Sequence, residues 1–316
     1  MKLKKPKFWD YKKKSFLSYL MQPFTLPVLL NNFFLDSKNK KLSKSIKSIC
    51  VGNIYIGGTG KTPLVAKLYN LLNKNIKNIM VAKKFYPNQI DEIKLLEKKT
   101  NLIHSKSRID LIDDAIKKNN QIIIFDDGLQ DKKLDYNLKF VCFDAITWIG
   151  NGQIIPAGPL RENLNSLKKY HAIFLNNYDE SMKDIHDKVL SINPKLKIFK
   201  SKYFIKNIDQ LDKNSKYLIF SGIGNPQNFR KILENSNFKV VNEIKFPDHY
   251  NYLKSDLEKI INTAIKNNLK ILTTEKDYVK IPSNFKSKIG YVEIDLDLFN
   301  ETEIINYIEN KLNEKN

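Results

Sequence analysis

Histidine and cysteine are scarce in this chain, with four of the first and two of the second among 316 residues. Two cysteines exclude a disulfide-stapled scaffold, and no His/Cys group has the spacing of a zinc site. Cys50 precedes a glycine-rich turn and Cys142 lies in an apolar run, so both read as buried free thiols suited to a reducing cytoplasm. Acidic residues are the minority sign, 34 against 54 basic, for a net charge of +20. A basic surface suits anionic lipid, nucleic acid or a phosphorylated substrate. The lysines are spread along the whole chain and no recognised nucleic-acid-binding motif accompanies them, so nucleic acid is not the expected partner. No obligate protein partner is implied either. An uninterrupted membrane span is also missing. Residues 16–35 come nearest, but Pro23 and Pro27 interrupt them and Gln22, Asn31 and Asn32 dilute them. They lack the small-residue cleavage site of a signal peptide.

What is present is a globular composition, 42% hydrophobic and 28% charged, in a chain long enough for two domains. One stretch organises it. Ile46, Ile49 and Val51 lead in with strand character, Gly57-Gly58-Thr59-Gly60-Lys61-Thr62 follows, and Leu64, Val65, Leu68, Leu71 and Leu72 recur at helical spacing. Strand, glycine turn and helix make a phosphate cradle, because glycines let backbone N–H groups turn inward and the helix start adds positive potential. Lys61 is placed to reach the β- and γ-phosphates of a nucleotide, and the Thr62 hydroxyl to ligate Mg²⁺. The strict G-x-x-x-x-G-K-[ST] pattern is not met, since Tyr55 stands where its first glycine belongs. The Gly-Gly-Thr-Gly-Lys-Thr core also resembles partner-switching ATPases, although Ile56 occupies the place of their second lysine.

A second apolar run, Gln121 to Phe125, ends in Asp126 and Asp127, the form of a buried strand that delivers carboxylates beside a P-loop. Asp126 is a candidate metal ligand. Asp127 would orient a second metal or the attacking hydroxyl. The Gly/Pro-dense stretch 150–162 predicts a shaped loop, in which Arg161 is either a fork for phosphate or a surface residue. Asp91 and Glu92 open an amphipathic helix, where interaction with the helix dipole is sufficient for Glu92 and is, taken alone, the favoured reading of Asp91 over a catalytic one. Strands are expected over 79–82, 139–144, 172–176, 217–221, 270–277 and 291–295, and helices over 227–236, 255–267 and 301–313. At the N-terminus, Lys2, Lys4, Lys5, Lys7 and Lys12–Lys14 precede a helix whose apolar side holds Trp9, Phe16, Leu17, Leu20, Met21 and Phe24. That is either an interfacial membrane helix or a terminal helix packed on its own domain. A polar linker is expected at 36–45. The resulting division is 1–35 as a basic amphipathic segment, 36–200 as a P-loop domain and 201–316 as a smaller α/β domain.

Together these motifs resemble the tetraacyldisaccharide 4′-kinase family, the lipid A kinases of the bacterial inner membrane. The resemblance rests on VGNIYIGGTGKTP, Asp91-Glu92, FDDGLQ at 125–130, GNGQIIPAGPLRE at 150–162, SGIGNPQNF at 221–229, FPDH at 246–249 and TTEKDYVK at 273–280. It implies transfer of the ATP γ-phosphate to the 4′-hydroxyl of a lipid-linked, tetraacylated diglucosamine 1-phosphate. It implies an α/β fold, a P-loop NTPase-like α/β/α sandwich with a second, smaller α/β/α domain and the nucleotide in the cleft between. It implies ATP and Mg²⁺ as cofactors and a peripheral or monotopic place on the cytoplasmic face of the inner membrane. Asp91 then accepts the hydroxyl proton and His249 orients it. Lys61, Asp127 and Arg161 complete the catalytic set. Gly57, Gly58, Thr59, Gly60, Lys61, Thr62 and Gln130 hold the nucleotide, and Thr62, Asp126 and Asp127 the metal. Two positions depart from the family pattern. Ala82-Lys83-Lys84-Phe85 replaces Ser-Arg-Gly-Tyr, leaving Lys83 or Lys84 to supply the charge, and Asp131 replaces the histidine of DGLQH.

Overall fold

Runs such as Ile122-Ile123-Ile124-Phe125 show no polar alternation, the mark of strands covered on both faces of a parallel sheet. The computed structural model, which describes residues 5–37, 46–131 and 133–314 (34–37 in backbone only), puts them there. Strands β1 (Lys47–Gly52), β2 (Ile79–Lys84), β3 (Leu102–Ser105), β4 (Ile122–Asp126), β5 (Leu138–Asp144), β6 (Ala172–Asn176), β7 (Lys197–Ile205) and β12 (Ile294–Leu298) form one sheet. Its order is β12-β7-β6-β5-β1-β4-β2-β3, parallel except where β12 runs against β7. Strands β8 (Lys216–Ser221), β9 (Lys239–Lys245), β10 (Lys270–Thr274) and β11 (Gly290–Val292) form a second, all-parallel sheet in the order β11-β10-β8-β9.

The helices are α1 (Phe16–Met21), α2 (Leu26–Ser37), α3 (Lys61–Leu72), α4 (Ile90–Lys99), α5 (Arg108–Lys117), α6 (Lys183–Ile192), α7 (Pro226–Asn235), α8 (Lys254–Lys266), α9 (Glu275–Tyr278), α10 (Ser283–Lys286) and α11 (Glu301–Asn313). One face of the large sheet is covered by α3 and α11 through Leu64, Leu68, Ile304 and Ile308. The other is covered by α5 and α6 through Leu111, Ile112, Ala115 and Val189. In the small sheet, α7 lays Phe229 and Leu233 on one face, and α8 lays Leu257 and Ile260 on the other. Each such side chain stabilises the fold by about 1.5–3 kcal/mol on burial. The expected pair of α/β/α sandwiches is therefore present.

Several expectations change in detail. A boundary at 200/201 would cut through β7, and the chain returns at its end to add β12 and α11 to the large sheet. The small sheet and its helices are built from residues 206–293. The run 291–295, read as one strand, is two strands in different sheets, with Glu293 as the crossing residue. Apolar periodicity is the same on both sides of that crossing, so it leaves no local mark. Strand β10 stops at Thr274, whose hydroxyl accepts from the Asp277 N–H and caps α9. Strand β9 and the β3–α5 unit carry weaker patterns and were not anticipated. The N-terminal element breaks into α1, a 3-10 turn at Gln22–Thr25 and α2, where Pro23 and Pro27 stand. Trp9 faces inward, not along the apolar side of α1. Lys2, Lys4 and most of the 36–45 linker lie outside the described residues. No helix among the described residues is long and apolar enough to cross a membrane.

Candidate active site

The glycine-rich loop leaves β1 at the centre of the large sheet and enters α3. Gly60 has φ +84°, and a Cβ there would lie 1.9 Å from the Tyr203 hydroxyl oxygen, so no other residue fits. The loop is held from within, since the Asn53 amide donates to the Tyr55 carbonyl (2.6 Å) and to Thr59 Oγ1 (3.1 Å). From beneath, the Asn176 amide donates to the Thr59 carbonyl at 2.7 Å. A rigid loop at a helix start is pre-organised for an anion. Lys61 points across it, its ammonium 3.9 Å from Asp127.

Strand β4 lies beside β1 with Val51 opposite Asp126, and that register brings the acids to the loop. The Thr62 hydroxyl donates to Asp126 Oδ2 at 3.0 Å. Strand β2 lies on the other side of β4, with Lys83 opposite Asp126. Lys83 is 3% exposed, and its ammonium donates to Asp126 Oδ2 at 2.7 Å and pairs with Glu92 at 2.8 Å. Burial alone would lower the Lys83 pKa, but Asp126 and Glu92 hold it above the ordinary lysine value. The charge left open by the Ala82-Lys83-Lys84-Phe85 departure thus falls to Lys83, while Lys84 lines a separate hollow. Glu92 is more than a helix-dipole residue. Its carboxyl, which burial would raise, is held well below the usual range by Lys276 and Lys83. Asp127 behaves likewise: Lys61 and Arg161 outweigh burial and keep it acidic. One oxygen each of Asp126 and Asp127, both Oδ1, is buried without a hydrogen-bond partner.

Across the cleft, the turn after β9 presents His249, whose Nδ1 lies 2.9 Å and 3.1 Å from the two oxygens of Asp91 at the start of α4. Lys280 stands 3.6 Å and Lys276 3.9 Å from the same carboxylate. Burial would raise the Asp91 pKa, but the His249 hydrogen bond and the two lysines bring it below the ordinary carboxylate value. Lys276 also reaches Glu92 at 3.0 Å, and Lys98 and Lys99 from the far end of α4 grip Glu275 at 3.0 and 2.6 Å. Helix α4 thus makes ionic contact between the large sheet's unit and the small one.

Between the sheets lies a cavity of about 380 Å³, lined by Gly57 to Thr62, Asp127 and Arg161 on one side and by Gly224, Asn225 and His249 on the other. Most sites expected from sequence line this cavity; Asp126, Asp91 and Gln130 do not, Asp126 lying behind Thr62, to which it is hydrogen-bonded, and Asp91 behind His249. Gln130 was expected to hold nucleotide. Its amide donates to Glu162 (2.7 Å) and the Asn53 carbonyl (3.1 Å), and its oxygen faces Arg161 at 3.3 Å. It buttresses the loop and lines the neighbouring hollow. Arg108 escaped the sequence reading. It donates twice to the Asp127 carbonyl, at 2.8 and 3.2 Å, and pairs with Asp131 at 2.8 Å, so the Asp131 departure is satisfied locally. Its position at the start of an amphipathic helix carried no distinguishing signal.

The sequence profile described as tetraacyldisaccharide-1-P 4′-kinase matches residues 14–313. A tetraacyldisaccharide 4′-kinase of Pelagibacter ubique (strain HTCC1062) is 49% identical over 316 residues, all of both chains. One of Rickettsia typhi is 33% identical over 322 residues, with 95% of this chain and 96% of the relative covered. Among solved structures, LpxK of Aquifex aeolicus in complex with ATP superposes with a TM-score of 0.69 at 23% identity, over 94% of this chain and 99% of that one, a likeness of fold.

Proposed function

This chain belongs to the tetraacyldisaccharide-1-P 4′-kinase family, and from that premise we propose how its cleft carries the reaction. It is a phosphotransferase that phosphorylates the lipid A precursor at the 4′ position. The nucleotide is ATP, with its phosphates on the amides of residues 57–62 and on Lys61, and Arg161 offers a second cation at the same carboxylate, Asp127. The acceptor is a tetraacylated diglucosamine 1-phosphate. Its 4′-oxygen bonds to the γ-phosphorus as the bridging P–O bond breaks, ADP leaves, and Asp91 takes the hydroxyl proton. His249 holds that carboxylate in place from the opposite side of the cleft.

The residues fit Mg²⁺. The unpartnered oxygens of Asp126 and Asp127 and the Thr62 hydroxyl are hard donors, and no group of three metal-binding acids, histidines or cysteines exists among the described residues. Bound there, magnesium would neutralise charge on the phosphates. Neutralisation and positioning are what phosphoryl transfer requires of a protein.

The observation carrying this reading is the 2.9 Å contact between His249 and Asp91, which comes from opposite sides of the phosphate cleft. The test is incubation with Mg-ATP and the tetraacylated acceptor in detergent. A product heavier by one phosphoryl group is expected, and its absence counts against the reading. Closure has its own test. A Cβ on Gly224 would lie 2.6 Å from the Gly58 amide nitrogen. Overpacking costs about 1–3 kcal/mol, so Gly224→Ala, which must push the two turns apart, should raise the KM for ATP roughly tenfold. An unchanged KM would mean the two glycine turns do not meet during turnover.

A lipid acceptor also gives the N-terminal helices a role on the cytoplasmic face of the inner membrane, as a peripheral or monotopic attachment. Phe16 is 81%, Phe24 62% and Phe33 69% exposed. Burying one phenylalanine in a bilayer interface is worth about 1.5–3 kcal/mol. Phe16→Ser and Phe24→Ser should each weaken co-sedimentation with anionic vesicles about tenfold; wild-type binding by the double variant would refute the attachment.

A further inference from the structure

On the side of the N-terminal segment turned away from solvent, Trp9, Ser18, Gln22 and Asn32 make polar contacts to one loop, residues 150–161. The Trp9 indole N–H donates to the Pro156 carbonyl at 3.0 Å, and the Asn151 N–H returns a bond to the Trp9 carbonyl at 3.0 Å. The Asn151 amide donates to Ser18 Oγ at 2.8 Å, and the Gln22 amide to Gln153 at 3.0 Å. At the end of the series, the Asn32 amide donates to the Arg161 carbonyl at 2.8 Å. Gln22 and Asn32, two of the polar residues that dilute the apolar stretch 16–35, therefore have a structural use.

Arg161 is held mainly by its backbone. Its N–H donates to the Ile54 carbonyl at 2.7 Å, on the lead-in to the phosphate loop, and its carbonyl accepts from Asn32. Among the described residues the guanidinium makes only long contacts, 3.5 Å to Asp127 Oδ2 and 3.3 Å to Gln130 Oε1, beyond the span in which hydrogen bonds fix a side chain firmly. Where the guanidinium sits thus depends on where the main chain is clamped, and one jaw of the clamp belongs to α2.

We propose that Asn32 is a positioning residue for Arg161, so that the segment whose outer face meets the membrane also sets the arginine of the phosphate cleft. The inference rests on Arg161 acting on the transferred phosphate as described above. The inner face of α2 then acts on Arg161 through this one hydrogen bond, separately from what the outer face does at a lipid surface.

The experiment uses the full chain in detergent micelles, with Asn32→Ala, Asn32→Gln, Arg161→Ala and the Asn32→Ala/Arg161→Ala double variant. Loss of one hydrogen bond predicts that Asn32→Ala lowers kcat roughly three- to tenfold. The KM for ATP, the melting temperature and vesicle binding should stay near wild type. Asn32→Gln, which keeps an amide donor, should recover most of the loss. In the Arg161→Ala background, Asn32→Ala should have no further effect, because it acts only through Arg161. Equal losses in both backgrounds, a wild-type kcat for Asn32→Ala, or a fall in vesicle binding that tracks the fall in kcat would each overturn the proposal. Wild-type protein that forms no product overturns the kinase reading and this one with it. An active wild type with a neutral Asn32→Ala overturns this one alone.

Discussion

Asp91→Asn should lower kcat about 10²–10⁴-fold, the range expected when a positioned acid–base group is removed, and the variant should still fold. The second half of that statement follows from its neighbours. Lys276 retains Glu92 at 3.0 Å and Asp248 at 3.4 Å, and Lys280 retains Asp277 at 2.7 Å, so neither cation is stranded when the Asp91 charge goes. An Asn side chain also fills the same volume and accepts from the same donors through one oxygen. Steady-state kinetics beside a thermal melt decide the matter. A wild-type kcat would remove Asp91 from the mechanism, and an unfolded variant would show that the carboxylate holds the two sheets together.

The same substitution has a signature in pH. Asp91 is more acidic in the fold than in an unfolded chain. Its contribution to stability is therefore complete above the unfolded value of about 3.9 and is lost as pH falls through the lower folded value. Denaturant unfolding at descending pH should show wild type losing more stability than Asp91→Asn below about pH 4. Parallel curves would mean that His249, Lys276 and Lys280 do not favour the ionised form.

Lys83→Met should destabilise the protein by about 3–5 kcal/mol, the cost of removing one partner from a buried ion pair. Among the described residues Lys83 alone is ion-paired with Asp126, whose side chain is fully buried. Glu92 is less affected because Lys276 remains beside it. The loss should thus be concentrated at Asp126, and Lys83→Met/Asp126→Asn should recover much of it, since two well-packed neutral groups avoid the stranded charge. Urea titrations of the single and double variants measure this. Additive losses would show that the pair does not act as a unit.

Lys83 shows where sequence reading stops. Its motif departs from the family pattern, and two adjacent lysines could have carried the charge. The choice depends on strand register: β2 beside β4 sets Lys83 opposite Asp126 and turns Lys84 to the other face. A one-residue slip would exchange them. Arg108 was invisible for a related reason, because its partner is the Asp127 carbonyl, and no side-chain pattern announces a bond to a main-chain oxygen. Gln130 was assigned to the nucleotide from a contiguous motif, yet the loop turns it to Glu162.

By itself the sequence determined the phosphate cradle, the buried strand that ends in Asp126 and Asp127, the helix at 301–313 and two successive α/β sets. These are written in short contiguous spacings, where glycine freedom and hydrophobic period act within a few residues. Tertiary structure alone decided that the small unit closes at residue 293, that the last strand crosses to the large sheet, and that Lys83 balances Asp126. Resemblance to a family paired Asp91 with His249, but their separation of 158 residues carries no signal of contact. Such meetings depend on sheet order and on the docking of α4 against the small sheet, which every packed residue sets jointly and no local stretch encodes.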